Sequence, residues 1–234
     1  MTIRKDRMIE YLKPTEFLDH DHPLVAEFAA RNTQGARDEK QKAAALYYAV
    51  RDGFQYDPYF LDLRPQGLKA STLLTRKSGY CVEKAILLAA SARSAGICSR
   101  LSFYIVRNHI ATGRLEKALK KDYLVFHGAA ELLLDGEWRK ATPAFNRQLC
   151  SVLGVAPLEF DGGSDSVFQE FDHAGGRFME YIHSYGSFTD MPYELYLSEL
   201  GEHYPHIFGI AGQSYTGLIF DFRNLEMPEI ADVD

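Results

Sequence analysis

Hydrophobic and polar positions divide the chain into a helical first part, a strand-rich middle and a less patterned end. The densest apolar block is Ala85–Ala90, where every residue is apolar. Such a run predicts a helix buried on most sides. Ser78 is placed to cap its first N–H groups, and Gly96 to end it with a left-handed residue. Upstream, Leu24, Val25, Phe28 and Ala29 share one face of a predicted helix over 23–31, with Asp21 or His22 before a proline at its first position. A second helix is predicted over 38–51, with Ala43, Leu46, Tyr47 and Val50 at core spacing and Gly53 as its stop. Residues 54–60 form an aromatic loop, and Ser71 caps a short helical piece over 72–76.

The middle of the chain changes period. Leu101, Phe103 and Ile105 alternate along a half-buried strand over 100–106. A loop and a basic helical segment follow over 110–121. Two strand-like runs, 123–134 and 137–142, are then joined by Asp135-Gly136, the residues of a two-residue type I′ hairpin. In that register Leu134 faces Glu137, Ala129 faces Thr142 and His127 faces Ala144. Alternation puts His127, Ala129 and Glu131 on one face with Trp138, Lys140, Thr142 and Ala144. Glu131 and Lys140 oppose each other as a cross-strand ion pair. Trp138 reads as core, and His109 as a loop residue. Later, 161–165 and 175–176 read as loops, 176–185 and 193–203 as short helices, and the acidic tail from Glu226 as frayed.

Composition narrows the class. The chain has 234 residues, 46% hydrophobic and 25% charged, with a net charge of -6. Interspersed charges of both signs argue against nucleic acid as a partner. No apolar run reaches membrane-spanning length, and the first residues lack the apolar core of a signal peptide. Three cysteines, Cys81, Cys98 and Cys150, are too few for a disulfide framework and have no metal-ligand spacing. The expectation is a cytoplasmic protein, independent of membrane and metal, with no cofactor. One domain spans 1–234, its core at about 36–147 and residues 148–234 an extension packed on that core.

Candidate chemistry centres on Cys81. It sits where a polar turn enters the buried helix, a place where thiolate is stabilised. Cys98 and Cys150 read as small core hydrophobes. Thr142 lies on the face of His127 as a diagonal neighbour, and Asn146 follows on the same side if the strand continues past Pro143. A thiol, an imidazole and a group that fixes its tautomer make a nucleophile, base and orienter set.

Gly79-Tyr80-Cys81 opening a buried helix, His127 on a strand, Glu131 to Trp138, and Ala141-Thr142-Pro143 together resemble the transglutaminase-like core of the papain-like cysteine enzymes. The segment 40–59 is similar to the region that precedes the nucleophile in that family. The resemblance covers roughly residues 36–147. It implies an α+β fold, in which N-terminal helices and a central nucleophile helix pack on an antiparallel β-sheet carrying the histidine. It also implies catalysis through an acyl-thioenzyme. Cys81 attacks an amide or peptide bond, His127 is the base, Thr142 or Asn146 orients it, and the Cys81 N–H helps bind the oxyanion. The substrate is then a peptide, a protein or a small amide, and the acyl group passes to water or to an amine. One departure stands out: the family usually has Asp-Pro where this chain has Thr142-Pro143. A threonine accepts a hydrogen bond but brings no negative charge to an imidazolium. The rival expectation is a non-catalytic member of the fold that binds a peptide or protein partner.

Overall fold

The computed structural model describes residues 5–109, 113–167, 179–208 and 219–223. Its helices are α1 (Lys5–Glu10), α2 (Pro23–Asn32), α3 (Glu39–Gly53), α4 (Ala70–Leu73), α5 (Cys81–Ser94), α6 (Gly113–Leu119), α7 (Arg147–Leu153), α8 (Tyr193–His203) and α9 (Pro205–Phe208). Its strands are β1 (Gln55–Tyr56), β2 (Phe60–Asp62), β3 (Ser78–Gly79), β4 (Ser99–Asn108), β5 (Leu124–Leu134), β6 (Glu137–Ala141), β7 (Met179–Phe188) and β8 (Ile219–Asp221). An antiparallel sheet in the order β6-β5-β4-β7 carries α5 on one face, and α2, α3 and α4 enclose the rest of that helix. This is an α+β fold. Among the described residues no helix is long and apolar enough to cross a membrane.

Helix α5 is surrounded because its side chains allow it. All but one of its residues are buried, and the alanines at 85, 89, 90 and 92 let neighbouring backbones approach closely. Its start differs from expectation. Ser78 belongs to β3, which pairs in parallel with β1, and the residue before the first turn is Tyr80. Glu83 performs the capping, its Oε2 accepting the Tyr80 N–H at 3.1 Å. The end follows expectation: Gly96 has φ +84°, and the Ile97 N–H returns to the Ala92 carbonyl at 2.9 Å. The short helix expected over 72–76 is α4, two to three residues earlier. The Ser71 hydroxyl donates to Asp19 at 2.5 Å rather than capping it.

The hairpin forms in the expected register, with Asp135 and Gly136 at φ 50° and 81° and Leu134 opposite Glu137. The ladder stops at Ala130–Ala141, however, so the Ala129–Thr142 and His127–Ala144 pairs do not form within it. Beyond that point Ser166 captures the strand, accepting the Thr142 N–H at 3.0 Å and donating its own N–H to Lys140 O at 2.7 Å. The Glu131–Lys140 ion pair is replaced. Glu131 binds Arg100 at 2.5 Å and the Ser187 hydroxyl at 2.9 Å, while Lys140 lies over the Tyr104 ring. Trp138 is half-buried, with Arg100 over its ring. In β4 a register shift after Tyr104 sends Val106, not Ile105, fully into the core. Residues 179–185 of the helix expected over 176–185 form strand β7 instead, paired along β4; 176–178 lie outside the described residues, as do the loop at 175–176 and the tail from Glu226.

Candidate active site

The β1–β3 pair brings Tyr56 beside Gly79, immediately before the first turn of α5. Three groups then lie close enough to the Cys81 sulfur to act on its charge: the Tyr56 hydroxyl and the N–H groups of Gly128 and Val82. Gly128 can come this close because it lacks a side chain. A Cβ there would lie 3.0 Å from Val82 Cα and 3.3 Å from Cys81 O, and both neighbours are backbone. The chain position next to Gly128 is His127. So α5 and β5 meet at the thiol with the histidine one residue away. Strand alternation turns the His127 side chain to the other face of β5 from Val82 and Ala85, the face of its cross-strand partner Tyr104.

Electrostatics here follow from burial. Burial pushes the Cys81 thiol up to about 11, even though the Gly128 and Val82 N–H groups favour the thiolate. The helix start predicted the opposite. A helix N-terminus contributes about 1 kcal/mol to an anion, less than a charge loses when it leaves water. Burial likewise pushes His127 down to about 4. Thiol and imidazole are therefore both neutral at neutral pH.

Thr142 and Asn146 occupy different roles from those expected. The Thr142 Oγ1 is buried and makes no hydrogen bond among the described residues, so the hydroxyl-to-imidazole bond of the expected set is absent. Asn146 precedes α7, and its Oδ1 accepts the Tyr56 N–H at 3.1 Å, fixing the residue whose side chain shares the cavity wall with Cys81. Cys98 and Cys150 are buried, as expected.

Two polar groups beside Cys81 escaped the sequence reading. Lys84 is fully buried one turn into α5. Its Nζ donates to the carbonyls of Arg51, Phe54 and Ala144 at 2.9, 2.9 and 2.8 Å. Burial pushes it down to about 7. Three carbonyls match the three N–H bonds of an ammonium, and a neutral amine would turn a lone pair toward an oxygen. We therefore assign it as charged. Glu83 is buried against Arg76 at 2.6 Å, and burial pushes it up to about 7 against the pull of that guanidinium. A lysine and a glutamate within the otherwise apolar run 81–90 were the available signal. Among the described residues no cluster of histidine, cysteine and carboxylate side chains could hold a metal ion.

The model of the transglutaminase-like superfamily matches residues 26–143, just over half of the 234. The chain belongs to the transglutaminase-like superfamily. Solved structures similar to it include a candidate cysteine protease from Cytophaga hutchinsonii, with 16% identity and a TM-score of 0.47, covering 79% of this chain and 55% of that one. Another is a candidate protease from Parabacteroides distasonis, with 18% identity and a TM-score of 0.37, covering 54% of this chain and 26% of that one. The chain thus spans about half the length of the first and a quarter of the second. No curated protein matches it by sequence.

Proposed function

We propose that the protein is a thiol-dependent hydrolase or acyltransferase of transglutaminase-like type, acting on an amide or peptide bond. The observation that carries this reading is the convergence on the Cys81 sulfur of a helix start, the Gly128 N–H beside His127, and an apolar cavity that opens onto the thiol. For this step the His127 imidazole turns from the Tyr104 side of β5 to the sulfur; the Cys81 S–H proton passes to it as the sulfur attacks the acyl carbon, forming the C–S bond. The Cys81 N–H helps bind the oxyanion. Collapse breaks the C–N bond, and His127 returns its proton to the leaving amine. Water or a second amine then displaces the thioester and restores the thiol. Because both groups start neutral, proton transfer accompanies attack rather than preceding it. Asn146 acts through Tyr56 as a positioning residue, and Thr142 stands where an orienting group is expected.

Acylation by activated N-acetyl-amino-acid esters, followed by mass spectrometry of the cysteine-containing peptides, tests the reading. Cys81 is expected to acylate ahead of Cys98, and His127→Ala to slow it by roughly 100-fold or more, the range of general base catalysis. Equal labelling of the two cysteines, or an unchanged rate in the variant, would overturn it. A second reading, a non-catalytic domain that binds a peptide or partner protein, is favoured by the missing carboxylate at Thr142 and by the raised thiol. It gains if peptide binds while no acyl-thioenzyme forms.

A further inference from the structure

The cavity beside Cys81 is walled by α5, α6, the first residues of β5, α8 and the loop after β1. Leu61, Ala118, Leu119, Leu124, Phe126 and Leu200 supply apolar surface, and no charged side chain lines it among the described residues. Its tyrosine hydroxyls are engaged elsewhere. Those of Tyr80 and Tyr196 bond each other at 2.9 Å. That of Tyr204 donates to Tyr123 O and accepts the Val125 N–H, both at 3.0 Å. The Tyr56 hydroxyl faces the sulfur. What remains for an occupant is ring and methyl surface, with the nucleophile in the wall.

We propose that this cavity receives the side chain of the acyl donor, and that the donor carries an uncharged aliphatic side chain of alanine-to-leucine size next to the scissile carbonyl. The inference rests on the thioester chemistry proposed above and adds the substrate class. Charge is excluded because a buried ion would find no partner here. Size follows from volume: the cavity measures about 70 Å³, whereas a cavity of about 150 Å³ is one that takes benzene. A branched aliphatic group fits, and a whole aromatic ring does not.

The test compares N-acetyl p-nitrophenyl esters of glycine, leucine, phenylalanine, aspartate and lysine, each rate divided by that of the same ester with a small free thiol. The leucine ester should acylate Cys81 at least about tenfold faster than the aspartate and lysine esters, the discrimination an apolar pocket provides, and faster than the phenylalanine ester. Ala118→Phe, which fills the cavity, should collapse the leucine-to-glycine ratio. Equal normalised rates, or a ratio unmoved in Ala118→Phe, would overturn the inference while leaving the thioester chemistry standing. If no ester acylates Cys81, the chemistry fails and the cavity is judged by NMR titration of Cys81→Ser. Shifts at Val82 and Leu119 with N-acetyl-leucinamide but not N-acetyl-aspartamide keep the aliphatic assignment, and shifts with both or neither end it.

Discussion

Two stretches converge on the candidate site and treat their buried polar groups in opposite ways. In the first turn of α5, every buried charge is matched: Glu83 meets Arg76 and the Tyr80 N–H, and Lys84 meets three carbonyls. At the end of β6, the Thr142 hydroxyl is equally buried and makes no hydrogen bond among the described residues. The two differ in what their polarity does. On the α5 side it joins elements: Lys84 ties α5 to the end of α3 and to the segment after β6. On the β6 side the polar atom joins nothing among the described residues. Precision around the thiol therefore comes from packing and backbone hydrogen bonds rather than from a charged relay.

The largest effect should come from breaking the matched side. Lys84→Met removes the ammonium and leaves the carbonyls of Arg51, Phe54 and Ala144 buried without donors. A loss of about 3–5 kcal/mol is expected, the range for removing one partner of a buried charged set, measured by urea unfolding. A loss below about 1 kcal/mol would mean that water reaches those carbonyls and the clamp is dispensable. Next in size is the pH response of His127. Free histidine titrates near 6.5, and burial holds the folded residue down to about 4. Between these values the unfolded chain binds a proton that the folded chain refuses. Stability should thus fall as pH drops from about 6.5 toward 4, by about 3 kcal/mol in all. The difference between wild type and His127→Gln across that window isolates this contribution; parallel curves would show that the imidazole is not held neutral.

These contrasts also mark what the sequence could reveal. Helix α5 and the hairpin were legible because their signals are local: an apolar block before a glycine, and Asp-Gly between alternating runs. The peeling of β6 at Thr142 was not, because its cause is Ser166, whose two backbone bonds replace the pairing that alternation alone predicted. Strand β7 read as a helix because most of its residues are exposed, so no face is selected for apolar side chains. The stabilisation of thiolate by the helix end was legible too, but its defeat by burial was not, because only the fold shows how completely the sulfur is taken out of water. Of the candidate residues, Cys81 and the chain at His127 come together. Asn146 serves Tyr56, and Thr142 makes no bond to the imidazole.

A smaller effect tests the approach of the two elements. Gly128→Ala would set a Cβ at 3.0 Å from Val82 Cα, where neither backbone can yield cheaply. About 1–3 kcal/mol of destabilisation is expected from such overpacking. The Gly128 N–H should also shift away from the sulfur, raising the pH at which iodoacetamide labels Cys81. A stable variant with an unchanged labelling profile would show that β5 does not set the thiol's environment.

The smallest effect is the most discriminating for the other side. Thr142→Val keeps the shape of the side chain and removes only the hydroxyl. A buried hydroxyl without a partner has lost its water and gained nothing, so its removal should be neutral or stabilising by up to about 1 kcal/mol. The rate of Cys81 acylation should stay within about twofold, because no bond to His127 is lost. If instead the valine variant folds normally yet acylates about tenfold more slowly or worse, the hydroxyl must turn to the imidazole during the reaction. The contrast between a matched α5 turn and an idle β6 end would then describe only the empty site. Thr142→Asp sharpens the same point from the opposite direction. A carboxylate there must pair with the imidazolium to offset its own burial, so a faster Cys81 would show that the position still aims at His127.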